Sequence, residues 1–484
     1  MTFDSIEFAL FLAVVVGAFA LVPGRWRAGL LLIASLAFYA VWSLPMTSLI
    51  LISGATDFAI GLALGRPSPS GEVDEGRDPG KSDRLRRGLL LALSLVVNLG
   101  ILGYFKYKGF FMDNLHAAGL IEADSWVKVV LPPGISFYTF QTMSYSIDVY
   151  RRELEPTRSP VQFLLYVAFF PQLIAGPIER ASKLLPQFAA MVGARVRAED
   201  LAAGLRLVIF GLFKKVVLAD SFAAACDPVF AHPESYGGWA ALLACYCFTL
   251  QIYFDFSAYS EIAKGSARML GVELSWNFDQ PYLVTNISDF WRRWHMTLSN
   301  WFRDYVYVPL GGSRVSKSRV LFNLTATMFL SGLWHGAAWN YVLWGLFHGL
   351  LLLLHTQLRA RAWVVGLRER APKSFDFGAW FLTLHLVILG WLLFRIDEMS
   401  KGKVMLKAMG RALSGREGLP APETLFGVGL FFAILGLGLA VRRGRLIERL
   451  DDSPALSVAV YGAAMVAGIV LAREQAPQFI YFQF

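Results

Sequence analysis

Charge is scarce in this chain. Of 484 residues only 17% are Asp, Glu, Lys or Arg, against about 25% in ordinary soluble domains. Hydrophobic residues make up 56% and the mean hydropathy is +0.49. That balance excludes a soluble globular fold. Cysteine is nearly absent. Cys226, Cys245 and Cys247 have neither metal-ligand spacing nor the makings of a disulfide framework. The last two lie in an apolar run, where a free thiol behaves as a small hydrophobe. The histidines and carboxylates give no zinc spacing, so no metal and no bound cofactor are expected. No internal repeat is evident, which weighs against inverted-repeat transporters. The first apolar run lacks a basic leader and a small-residue cleavage site, so it is expected to remain as a membrane helix. A net charge of +9 does not imply a nucleic-acid partner, because the basic residues sit in short loops beside apolar segments.

Long apolar runs are what the chain has in abundance. A helix needs about 20 apolar residues to cross a hydrocarbon core about 30 Å thick. Spanning or re-entrant candidates lie near 6–22, 28–45, 46–64, 88–105, 131–149, 161–178, 201–218, 238–254, 321–339, 341–357, 377–394, 424–440 and 455–471. Several are short or interrupted by Pro and Gly, leaving about ten to twelve true crossings. The expected fold class is an all-α polytopic membrane protein, with residues 1–484 as one membrane-embedded domain. Arg25 and Arg27 place the end of the first run in the cytoplasm and the N-terminus outside. The polar stretch 65–87 reads as a flexible cytoplasmic loop. Arg151 and Arg152 put the end of the fifth run inside. Arg442, Arg443, Arg445 and Arg449 make the last loop cytoplasmic and send the C-terminus outward.

Two histidines stand out. His335 lies in Trp334-His335-Gly336, near the far end of the apolar run 321–339, and ionisable groups at membrane depth mark functional sites. His295 lies upstream in Trp291-Arg-Arg-Trp-His295-Met-Thr-Leu-Ser299. Residues 281–312 interleave aromatic and basic residues with few aliphatics, the pattern of interfacial or re-entrant helices. Polar backbone at membrane depth must be buried in protein or line a wet cavity. A cavity floored by 281–312 and walled by 321–357 is therefore expected. At about 100° per residue, an unbroken helix would turn His348 away from His335, which argues against a metal pair. His116, His232, His355 and His385 have no partner motif.

The stretches WRRWHMTLSNWFRDYVYVPLGG and GLWHGAAWNYVLWGLFHG resemble the membrane-bound O-acyltransferase (MBOAT) superfamily, and within it the AlgI-like bacterial branch. LPPGISFYTFQTMSYSIDVYR (131–151), FFPQLIAGPIER (169–180), LQIYFDFSAYSEIAKGSARMLG (250–271) and FIYFQF (479–484) resemble the same branch. The resemblance implies a helical ring around a central tunnel. It also implies acyl transfer from a cytoplasmic thioester to a hydroxyl, here O-acetylation of alginate or another exported polysaccharide.

The catalytic candidates are His335, His295 and Tyr481, within a catalytic segment 281–357 and an aromatic tail 472–484. Attack of a hydroxyl on a thioester needs a base near neutral pH, and imidazole supplies one. His335 matches the family's catalytic histidine. His295 matches its second polar position, as an orienting or polarising group or as a structural hydrogen bonder. Arg292 and Arg293 fit the phosphates of coenzyme A or ordinary positive-inside anchoring equally well. Trp334, Asp255, Tyr259 and Gln141 are candidate tunnel-lining residues; helix–helix bonding is the alternative for the polar ones. Terminal aromatic motifs containing a tyrosine serve as acyl carriers in related systems, which gives Tyr481 that role or that of an interfacial anchor.

The donor is expected to be acetyl-CoA, the location the bacterial inner membrane, and the partners membrane lipid, a polysaccharide acceptor and a periplasmic acetyltransferase. D-alanyl transfer to an envelope polymer is the rival within the class. A flippase of acylated sugar precursors is the rival outside it.

Overall fold

The computed structural model describes residues 1–65, 81–122, 126–127, 129–193, 195–443, 453–471 and Phe479. Every regular element among them is helical. Among the described residues, six helices are long and apolar enough to cross a membrane: Leu44–Gly65, Ser82–Ala117, Gly238–Met269, Trp339–Leu358, Pro372–Arg395 and Pro422–Val441. Two shorter apolar helices, Ile6–Leu21 and Ala455–Leu471, accompany them.

Fewer helices meet this standard than the apolar runs suggest, for local reasons. The run 161–178 breaks before Pro171 into Pro160–Ala168 and Phe170–Leu173. Run 131–149 becomes Ile135–Arg151, a helix whose Thr139, Gln141, Thr142, Ser144 and Ser146 are all buried. Such a helix faces protein rather than lipid. Run 201–218 continues through a π-helical turn, Lys214–Ala219, that carries two buried lysines.

The chain forms two compact units. The first comprises Met1–Val208 with Ile262–Ser275, and the second Ile209–Glu261 with Trp276–Phe484. In the first unit, a buried carboxylate ties three helices together. Asp57 accepts from Ser94 Oγ, from Ser146 Oγ at 2.6 Å and from Asn98 Nδ2 at 2.5 Å. Asn98 Oδ1 in turn accepts from Ser53 and Thr142. A charge at membrane depth is tolerated when each of its lone pairs finds a donor. Two hydroxyls and an amide do that here, and two further hydroxyls hold the amide in place.

The expected loop 65–87 is shorter than the sequence suggests. Residues 66–80 lie outside the described residues, but Lys81 already begins the helix Lys81–Leu102. The cause is Arg87. Its buried guanidinium donates to Leu64 O at 2.6 Å and to Val149 O and Tyr150 O at 3.3 and 2.7 Å. Those carbonyls end the two neighbouring helices, so one arginine satisfies groups that would otherwise lack partners.

The second unit holds both candidate histidines. Residues 281–312 contain no spanning helix, as expected: a turn Pro281–Leu283 leads to the short helices Ile287–Trp291 and Met296–Phe302 and then a π-helical turn Arg303–Tyr307. Asn286 caps Ile287–Trp291 by accepting from Asp289 N at 2.9 Å, a standard side-chain N-cap.

Candidate active site

The helices Lys317–His335 and Trp339–Leu358 pack antiparallel as a hairpin whose turn is only Gly336–Ala338. Small residues permit the close approach. A Cβ on Gly332 would lie 2.2 Å from Tyr341 O, and one on Gly345 2.4 Å from Met328 O. Gly336 is equally constrained, since a Cβ there would meet the Tyr341 ring at 2.1 Å. The turn therefore follows immediately on His335 and leaves its ring at a helix end, buried, among three aromatic rings. These are Trp334 at 5.0 Å, Trp344 at 5.0 Å and Phe394 at 5.4 Å between centroids, all near perpendicular. Phe394 is held in turn by its carbonyl, which accepts from Asn340 Nδ2 at 3.1 Å.

His295 is built differently. It caps the helix Met296–Phe302 with φ 41° and ψ 55°, the left-handed region that costs a side-chain-bearing residue about 1–2 kcal/mol. Asn277 holds it there. Its carbonyl accepts from Met296 N at 2.9 Å, and its Oδ1 accepts from Thr297 Oγ1 at 2.7 Å and faces His295 Nδ1 at 3.3 Å. Asn277 Nδ2 donates to Ser260 Oγ at 3.3 Å. Because Oδ1 is an acceptor, the hydrogen-bond network assigns the His295 proton to Nδ1 and its lone pair to Nε2. His295 lies outside the six long helices, and burial lowers its pKa. The ring is therefore neutral, the form a base or a hydrogen-bond acceptor requires.

The two histidines share one residue. Trp334 lies 5.9 Å from His295 and 5.0 Å from His335 between centroids. Phe256 covers His295 from the long helix Gly238–Met269 at 4.7 Å, edge to face. Phe479 packs 6.0 Å from Phe256 and stacks on Tyr259 at 3.7 Å. The described residue of the aromatic tail thus sits one ring away from His295.

The remaining candidates divide. Trp334 and Tyr259 belong to this cluster. Asp255 does not line it: it pairs with Lys215 at 3.1 Å, and Lys215 pairs with Asp220 at 2.8 Å, in a buried ion triad. The helical step from Asp255 to Phe256 turns the carboxylate away from His295, a distinction that run hydropathy cannot make. Gln141 is buried in the first unit, where its carbonyl accepts from Tyr166 Oη at 3.0 Å. Arg292 is exposed and pairs with Asp289 at 2.8 Å, while Arg293 approaches Asp279 at 3.8 Å. Tyr481 lies outside the described residues. Among those described, no group of three or more His, Cys, Asp or Glu side chains could hold a metal ion.

Three residues carry no signal of their own in the sequence reading: Asn277, Phe256 and Trp344. For His348 the condition of one unbroken helix does not hold. The helix breaks at 336–338, and the hairpin places His348 4.9 Å from the same Trp344 that carries His335. The Gly336-Ala-Ala-Trp339 step after the histidine was the available signal of a break.

What this arrangement offers is two buried imidazoles among aromatic rings. The family profile described as MBOAT, membrane-bound O-acyltransferase family, matches residues 87–389, a stretch that includes both. The chain belongs to the membrane-bound O-acyltransferase family. It is accordingly a multi-pass membrane enzyme that transfers acyl groups to hydroxyls. This acyltransferase is 39% identical over 416 residues to the "Probable alginate O-acetylase AlgI" of Azotobacter vinelandii, covering 84% of this chain and 78% of that one. It is 40% identical over 418 residues to the protein of the same name from Pseudomonas aeruginosa, covering 84% and 75%. The "Peptidoglycan O-acetyltransferase" of Helicobacter pylori is 33% identical over 418 residues, covering 80% and 74%.

Proposed function

We propose that this acyltransferase moves an acetyl group from cytoplasmic acetyl-CoA across the bacterial inner membrane for O-acetylation of an exported polysaccharide, alginate or similar. The observation that carries the reading is the His295–Trp334–His335 cluster. It is buried, among aromatic rings, in a chain similar along most of its length to proteins named as polysaccharide and peptidoglycan O-acetylating enzymes.

The chemistry follows from the residues. His335 takes the proton of the attacking hydroxyl as the thioester carbon is attacked, and returns it to the leaving thiolate. His295, oriented by Asn277, presents its Nε2 lone pair as an acceptor that orients the attacking hydroxyl. Burial strengthens each of these interactions, because no bulk water screens them. Arg292 and Arg293 receive the donor's phosphates at the entrance. Tyr481 accepts the acetyl group as a phenyl ester and passes it outward to the polymer or to a periplasmic acetyltransferase partner. The stacking of Phe479 on Tyr259 supports that role, since it anchors the chain two residues before the phenol.

The test is release of free coenzyme A by the purified enzyme in lipid nanodiscs given acetyl-CoA and a polysaccharide acceptor. Acceptor-dependent release with acetyl esters on the polymer supports the reading. D-alanyl esters formed from a carrier-protein donor, with no use of acetyl-CoA, would refute it.

A further inference from the structure

The second unit contains an imidazole that the proposed mechanism does not use. His348 is fully buried, and neither of its ring nitrogens has a hydrogen-bond partner among the described residues. Its neighbours are rings: Trp344 at 4.9 Å, Trp291 at 5.2 Å, Phe347 at 5.6 Å and Phe290 at 6.1 Å between centroids. Gly390 packs close to the ring as well, where a Cβ would come within 2.7 Å of Nε2. As a packing element this is a poor choice. A buried polar atom without a partner costs about 1–3 kcal/mol, and phenylalanine would fill an aromatic cage of this shape without that cost.

The same deficit recurs on either side of it. Trp291 Nε1 and Trp344 Nε1 are buried and have no partner among the described residues. An indole N–H can only donate, and a neutral imidazole donates from one nitrogen and accepts at the other. Three donors therefore surround one cage with nothing described for them to bond, and their rings lie within 5.6 Å of one another. Buried polar groups in native proteins are normally paired, and a cluster that is not calls for an explanation such as a catalytic role. Trp344 also carries His335 on its other side at 5.0 Å. The donor cluster and the general base thus flank a single ring.

We propose that His348, Trp291 and Trp344 form a hydrogen-bond donor site for the carbonyl oxygen of the acyl group while it is transferred at His335. The inference rests on the acyl-transfer reading of that histidine. In the step, the acceptor oxygen bonds to the acyl carbon and its proton passes to His335. The carbonyl π pair moves onto oxygen, where the donors stabilise it. It then returns as the carbon–sulfur bond breaks, and the thiolate leaves with the proton from His335. Donors fixed in a dry site act on the developing oxyanion more strongly than on the ground-state carbonyl. The site is suited to that charge because its donors are buried and have no other partner among the described residues to satisfy.

The measurement is single-turnover acetyl transfer by the full-length enzyme in nanodiscs, for wild type, His348→Phe, His348→Gln and His335→Ala. Phenylalanine keeps the ring and deletes both nitrogens, whereas glutamine keeps a donor. Removing one oxyanion donor is worth about 10²–10³-fold in rate. His348→Phe is expected to lose on that order in the transfer rate, with donor affinity unchanged and thermal stability equal or higher. His348→Gln should recover at least tenfold of the loss. The proposal is overturned if His348→Phe transfers at the wild-type rate, or if glutamine fails as badly as phenylalanine. If His335→Ala itself transfers normally, the acyl-transfer reading has failed instead, so the two failures are told apart.

Discussion

Asn277 Oδ1 faces His295 Nδ1 at 3.3 Å while also accepting from Thr297 Oγ1 at 2.7 Å. One amide thereby fixes both the tautomer of the histidine and the strained turn that presents it. Misplacing a reacting group by about 1 Å costs on the order of 10²-fold in rate. Asn277→Ala is therefore expected to lower polymer acetylation by about that factor with the protein still inserted. The acetyl ester content of polymer from a complemented deletion strain measures it. Activity within twofold of wild type would mean that His295 needs no orienting partner.

The hairpin that carries His335 depends on two glycines in contact. A side chain at Gly332 meets the Tyr341 carbonyl, which is backbone and cannot swing aside. Gly332→Val should push the helices apart and cost at least the about 1–3 kcal/mol of an overpacked core. Thermal unfolding in detergent should show a lowered midpoint, together with lost activity. Gly17, which has open space around its Cβ position, is the matched control, and Gly17→Val should leave the midpoint and the activity near wild type.

The tail supplies a third prediction. Phe479 stacks on Tyr259, so Phe479→Ala should weaken acetylation by loosening the segment that bears Tyr481. Tyr481→Phe keeps the ring and removes only the nucleophile. Loss of acetylation in that variant, with an acetylated C-terminal peptide in the wild type by mass spectrometry after brief exposure to acetyl-CoA, is the expected pair of results. Full acetylation by Tyr481→Phe would reduce the phenol to an anchor.

Much of this site was legible in the sequence. The cost of an imidazole in an apolar run singled out His335, and the aromatic-basic stretch around His295 read correctly as a segment of short helices rather than a span. What stayed hidden depended on directions in space. Asp255 and Phe256 are adjacent in an apolar run, yet only the helical turn decides that one faces Lys215 and the other His295. A continuous helix would turn His348 away from His335, whereas the break at Gly336 leaves both against Trp344. Asn277 lies in a loop with no motif of its own, so only the fold reveals what its amide holds. Arg87 reads as loop charge because the carbonyls it satisfies belong to two other helices.

Everything proposed for this site depends on His335 acting as the base in O-acetylation. The most direct test of that role is acetyl ester content of the exported polymer in a strain whose only copy carries His335→Ala, with membrane insertion and abundance verified by immunoblot. Loss of a general base lowers the rate by about 10²–10⁴-fold. Acetylation is expected to fall to background with the protein present at its normal level. Near wild-type acetylation by correctly inserted His335→Ala protein would contradict it.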